Sequence, residues 1–111
     1  MHDDMKTKCL WHIKKFQVED FAKLIVKSSN DVTPQACDIL SVDGNHGEQA
    51  IIDVERFAPM VNLSGIVLLD DRRWIGGAVL RSEDVLEDLG FSRLFNVSTD
   101  GDDWSMFQKI R

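Results

Sequence analysis

Asp43, His46, Asp70 and Asp71 are the residues of this 111-residue chain best suited to chemistry. Asp43 closes the apolar run Cys37-Asp38-Ile39-Leu40-Ser41-Val42, and His46 follows it after Gly44-Asn45. Asp70 and Asp71 close a second run, Gly65-Ile66-Val67-Leu68-Leu69. Open α/β sheets bind ligands in the crevice beyond the carboxyl ends of their strands. Three carboxylates in such a crevice can hold a hard divalent cation through oxygen, and an imidazole beside them can act as a general base.

Each residue also has a plainer role open to it. An acid at the end of a buried strand costs desolvation unless it is paired or bound, yet Asp43 could cap the helix that follows. A histidine at a helix start is favoured in its neutral form by the helix dipole. On residue type alone, His46 is equally an exposed first-turn histidine. Asp70 and Asp71 repel each other, which a cation would relieve; Arg72 and Arg73 offer the same relief without a metal. Trp74 could line a pocket beside the acidic pair. Trp11 and Trp104 read as packing residues, and Asp100, Asp102 and Asp103 as a hairpin tip.

The elements that must position these groups can be read from periodicity. Residues 3–17 place Met5, Cys9, Leu10, Ile13 and Phe16 near one helical face. Ala22 to Lys27 suits a short buried strand, followed by turn residues Ser28-Ser29-Asn30-Asp31. Asp38 to Asp43 is the next strand. Ala50, Ile51, Val54, Phe57, Ala58 and Val61 then make one apolar stripe, predicting a helix over 46–61 whose last turn Pro59 weakens. Asn62-Leu63-Ser64-Gly65 is a turn, and Ile66 to Leu69 a buried strand. Strand, helix and strand joined this way form a parallel βαβ unit with a right-handed crossover. Asp43 and Asp70 then share one edge of the sheet. A further helix spans Val79 to Leu89, with Gly90 at its end. Leu94 to Val97 and Trp104 to Ile110 form a closing antiparallel hairpin through Asp100-Gly101.

Composition sets the wider limits. A domain of this length buries roughly two-thirds of its unfolded surface, enough for one core, and residues 1–111 are expected to fold as one domain. The net charge of -6 argues against nucleic acid as a partner. Lys6, Lys8, Lys14 and Lys15 read as a solvated helix face. No apolar run approaches the roughly 20 residues of a membrane span, and Met1 to Lys8 lacks a signal-peptide pattern. Cys9 and Cys37 form no metal-type spacing and suit a reducing cytoplasm.

From about Lys23 to Ile110 the chain resembles the carboxy-terminal half of class I S-adenosylmethionine-dependent methyltransferases. It is similar to the group whose fourth strand ends in Asp-Gly-x-His, here Val42-Asp43-Gly44-Asn45-His46. The family continues with an acidic helix (Asp53 and Glu55 here), a fifth strand ending in an acidic pair (Asp70-Asp71), a helix ending near Gly90-Phe91 and a closing hairpin. Leu63-Ser64-Gly65 stands where the family usually has Pro-Gly-Gly. Nothing like G-x-G precedes Lys23, so the glycine-rich cofactor loop and first two strands of the family have no counterpart here.

The resemblance implies a fold class: α/β, a partial Rossmann-like sheet of about five strands, mainly parallel, with a carboxy-terminal antiparallel hairpin and flanking helices. It implies S-adenosylmethionine as cofactor near Ser28 and Ser29, Mg²⁺ held by Asp43, Asp70 and Asp71, and His46 as the base. The implied reaction is metal-assisted O-methyl transfer to a small hydroxylated molecule or sugar, by a chain incomplete on its own. The alternative is a non-catalytic remnant or interaction module that keeps the half-fold; a different Rossmann-like enzyme using the same carboxylates is a third reading. Without the family's first two strands, Ala22 to Lys27 must pair with Asp38 to Asp43 or leave an open edge. An open edge invites a homodimer or a complementing amino-terminal half.

Overall fold

Along Val61–Asp70 the chain alternates: Val67 and Leu69 are buried, while Ile66, Leu68 and Asp70 are half-buried. A period of two marks a strand with one face on a core. The structure, a computed structural model, describes residues 3–43, 47–72 and 76–111. It divides into two compact units, one running through Val32 and one spanning Thr33–Arg111.

The second unit holds the sheet. Its strands are β1 (Cys37–Val42), β2 (Val61–Asp70), β3 (Phe91–Ser98) and β4 (Asp103–Lys109), in the order β1-β2-β4-β3. β1 and β2 are parallel, joined through helix α2 (Glu48–Phe57) as a βαβ unit. β4 is antiparallel to both β2 and β3, so the sheet is mixed rather than mainly parallel. Helix α3 (Ala78–Asp88) connects β2 to β3 and packs beside α2. The core lies between these helices and one sheet face, around Val54, Ala58, Val67, Leu69, Leu86 and Phe107. The opposite face carries Ile66, Leu68, Trp104 and Met106, all half-buried, and Ile39, which is 66% exposed.

The α2 stripe is present, with Ala50, Val54 and Ala58 buried. The helix stops at Phe57, and Pro59 sits in a 3-10 turn over Ala58–Met60. Val61 therefore opens β2 instead of ending α2. The turn expected at Asn62–Gly65 survives as a bulge inside β2. There β2 advances from Val61 to Ile66 while β1 advances only from Cys37 to Ile39. Ser64 takes a left-handed conformation with φ of 69°. Asn62 Nδ2 donates to Asp38 Oδ1 at 2.9 Å, and Lys109 Nζ donates to Val61 O at 2.8 Å, so the bulge is fastened from both sides. α3 ends as expected: Gly90 follows its cap with φ of 96°. The hairpin closes through Thr99, whose backbone N–H donates to Asp102 O at 2.7 Å.

In the first unit, helix α1 (Asp3–Lys15) is shorter than the predicted 3–17. Gln17 enters the left-handed region with φ of 54°. Val18 N–H donates to Ile13 O and Gln17 N–H to Lys14 O, both at 3.1 Å. This pair of bonds is a Schellman ending, which satisfies the last carbonyls and stops the helix. Ala22 to Lys27 forms no strand, so the sheet has four strands where about five were expected. An extended segment becomes a strand only by pairing, and the first unit offers no other strand among its described residues. No helix among the described residues is long and apolar enough to cross a membrane.

Candidate metal centre

The parallel register of β1 and β2 brings Val42 opposite Leu69. The next residues, Asp43 and Asp70, therefore leave the sheet at the same edge. Asp71 would face the other way if the strand continued, because successive side chains alternate. It does not continue: Asp71 is left-handed, with φ of 54°, and its N–H donates to Asp70 Oδ1 at 2.9 Å. Aspartate is among the few residues that adopt this conformation readily. The turn brings both acids to one side. Asp43, Asp70 and Asp71 can each place a carboxylate oxygen within 4.8 Å of the others.

This spacing suits one hard cation. Metal–oxygen bonds of about 2.0–2.6 Å put oxygens on opposite sides of Mg²⁺ or Ca²⁺ about 4–5 Å apart. Asp43 is exposed, and Asp70 and Asp71 are half-buried, so the cluster meets solvent. The two plainer roles are each narrowed. The cap position of α2 is Gly47, not Asp43. The Arg72 guanidinium is engaged by Glu83: its Nε donates to Glu83 Oε2 at 2.7 Å and its Nη2 to Glu83 Oε1 at 3.1 Å. Arg73 lies outside the described residues.

Glu83 is the least expected charged group. It sits on the apolar side of α3, buried beside Ser82 and Leu86. Arg93 Nη2 also donates to its Oε1, at 2.9 Å. Burial pushes the Glu83 carboxyl upward, but the Arg72 hydrogen bonds and the charges of Arg72 and Arg93 outweigh it. The net effect holds Glu83 below the usual glutamate range.

Next to the acids, Ser41, Leu68, Trp104 and Met106 line an open groove of about 420 Å³ that includes Asp43 and Asp70. Trp104 pairs with Asp70 across β2 and β4, and its ring meets Phe95 edge-on at 5.4 Å. Trp104, expected as a packing residue, and Asp102, expected at a hairpin tip, both line the groove. The alternation of Trp104 and Met106 against Ser105 and Phe107 separates the two faces. What assigns Trp104 to this site is the pairing of β4 with β2, which no local pattern announces.

Three predicted site residues remain: Ser28, Ser29 and His46. Ser28 and Ser29 belong to the first unit, where Ser28 Oγ accepts from Asn30 N–H at 3.3 Å and caps a single 3-10 turn over Ser29–Asp31. His46, the predicted base, lies outside the described residues, as does Trp74. No protein-family model matches the chain, and no curated protein matches it in sequence.

Proposed function

We propose that the chain is the metal- and acceptor-binding half of a class I S-adenosylmethionine-dependent methyltransferase, acting in metal-assisted O-methyl transfer to a small hydroxylated molecule or sugar. One observation carries the reading: three carboxylates from two parallel strand tips converge within 4.8 Å beside an open groove. The order strand, helix, strand, helix, hairpin supports it as well. Asp43, Asp70 and Asp71 would hold a divalent cation, and an all-oxygen anionic set favours Mg²⁺ over softer metals. Such an ion lowers the pKa of a coordinated hydroxyl. His46, in the Asp-Gly-x-His element, is the base in this proposal. The groove beside Trp104 is large enough to hold part of a small acceptor and to align it, and alignment is where an in-line displacement gains much of its rate.

The donor side of the site is less well supplied. A glycine-rich loop before β1 is not part of these residues, and Ser28 and Ser29 are the only groups that the resemblance assigns to the adenosine. The reading therefore has the chain work with a complementing amino-terminal portion. A reducing, cytoplasmic setting suits Cys9 and Cys37, both free thiols.

Calorimetric titration with MgCl₂ and MnCl₂ tests the cation site. The parent chain should bind, and Asp43→Asn should weaken binding by at least about tenfold, since affinity at such sites follows ligand charge. Equal affinity in parent and variant would remove Asp43 from the site. S-adenosylmethionine titrated with and without Mg²⁺ separates the alternatives: cation binding with no cofactor affinity, even beside an added amino-terminal half, would favour a metal-binding interaction module.

A further inference from the structure

Arg72 is fastened at more points than a loop residue needs. Its backbone N–H donates to Asp103 O at 3.2 Å, tying it to β4. Its side chain makes the two-pronged contact with Glu83 of α3, and its Nη1 donates to Ser98 Oγ on β3 at 3.3 Å. Ser98 Oγ in turn donates to Asp103 Oδ1 at 3.1 Å. The Arg72 and Glu83 side chains are only 11% and 3% exposed. A buried ion pair is weak support for stability, because desolvation cancels much of its attraction. Its firm consequence is geometric: two planar groups joined at two points hold one relative orientation.

That orientation matters because of what precedes Arg72. Asp71 adopts a left-handed conformation, which aspartate visits more readily than most residues but still at a cost, so contacts that fix the residue after it help to hold it there. We infer that Arg72 and Glu83 are a positioning pair: by anchoring the residue after the turn, they keep Asp71 left-handed and so keep the Asp70 and Asp71 carboxylates on the side of Asp43. The functional part of this inference rests on the three acids being a cation site. The geometric part does not.

Glu83→Gln alone leaves a buried guanidinium poorly balanced and risks unfolding. The decisive variant is the double change Arg72→Met with Glu83→Leu, which removes both charges at similar volume. Three readouts are compared in the full chain: the melting temperature, amide hydrogen exchange, and Mn²⁺ affinity by calorimetry. The double variant should stay folded, with Val67 and Leu69 amides as protected as in the parent. The Asp71 and Arg72 amides should exchange at least about tenfold faster, and Mn²⁺ should bind about 10–100-fold more weakly, the usual cost of losing groups that orient ligands. Unchanged protection at Asp71 and Arg72 would overturn the inference, as would unchanged Mn²⁺ affinity in a parent that binds it. A parent that ignores Mn²⁺ would defeat the cation reading, and the exchange rates would then decide the positioning role by themselves.

Discussion

Gly65→Ala is the most direct probe of how β1 and β2 are set against each other. An added Cβ would lie 2.5 Å from Val61 Cγ1, 2.7 Å from the Asn62 carbonyl oxygen and 2.9 Å from the Asp38 carbonyl oxygen. Comfortable carbon contacts are about 3.5–4.0 Å. A side chain can swing away, but two of the three neighbours are main chain within the bulge and the facing strand. Overpacking of this kind costs about 1–3 kcal/mol, and stiffening the unfolded chain returns about 0.4–1 kcal/mol. With the strain at the upper end, the net loss is about 2 kcal/mol. For a chain of 111 residues this lowers the melting temperature by about 8–12 °C. Circular dichroism melts of Gly65→Ala, with Gly101→Ala as control, measure it; nothing lies within 4 Å of a Cβ at Gly101, which should melt within about 2 °C of the parent. Because the bulge sets the register that brings Asp43 beside Asp70, Mg²⁺ affinity should fall in Gly65→Ala as well. A Gly65→Ala protein that melts with the parent would refute the packing described for the bulge.

Two further outcomes follow from other parts of the fold. Because Glu83 is held below the usual glutamate range, its contribution to stability is complete above its unfolded value near 4.5 and is lost as pH falls through the lower folded value. Urea midpoints from about pH 6 to about pH 3 should therefore drop less steeply in the Arg72→Met, Glu83→Leu double variant than in the parent; parallel curves would contradict this. β1 lies at one end of the sheet order, its run Cys37–Val42 contains no lysine or proline, and the Asp38 carboxylate is engaged by Asn62 of its own sheet. Among the described residues no strand pairs with its outer side, and a strand edge of this composition favours pairing with a second copy. Light scattering should give twice the chain mass for the parent and the single mass for Ile39→Lys, and a parent that stays monomeric at high concentration would refute the edge pairing.

Elements governed by local pattern were legible in the sequence. The stripe through Ala50, Val54 and Ala58, the apolar run Ile66 to Leu69, the glycine after α3 and the Asp100-Gly101 hairpin all stand where spacing put them. Asp43 and Asp70 could be brought together because a βαβ unit leaves little choice of strand direction. What local pattern could not supply is pairing between distant segments. Ala22 to Lys27 has strand composition but pairs with no strand among the described residues. The bulge at Ser64 and the left-handed turn at Asp71 are decided by what surrounds them. Glu83 was illegible for a related reason: a charge on an apolar stripe makes sense only once Arg72 and Arg93 arrive from elsewhere in the chain.

The place of β4 bears on how the sheet assembles. It comes after the other three strands in the chain, yet it lies between β2 and β3. β2 and β3 are separated in sequence by little more than α3 and run in the same direction, so they could meet early and pair directly. In the finished sheet Trp104–Lys109 fills the slot between them, and Phe107 reaches the core from there. Completing the sheet therefore requires β4 to come between two strands that precede it, a non-local closure whose entropy must be met before its contacts form.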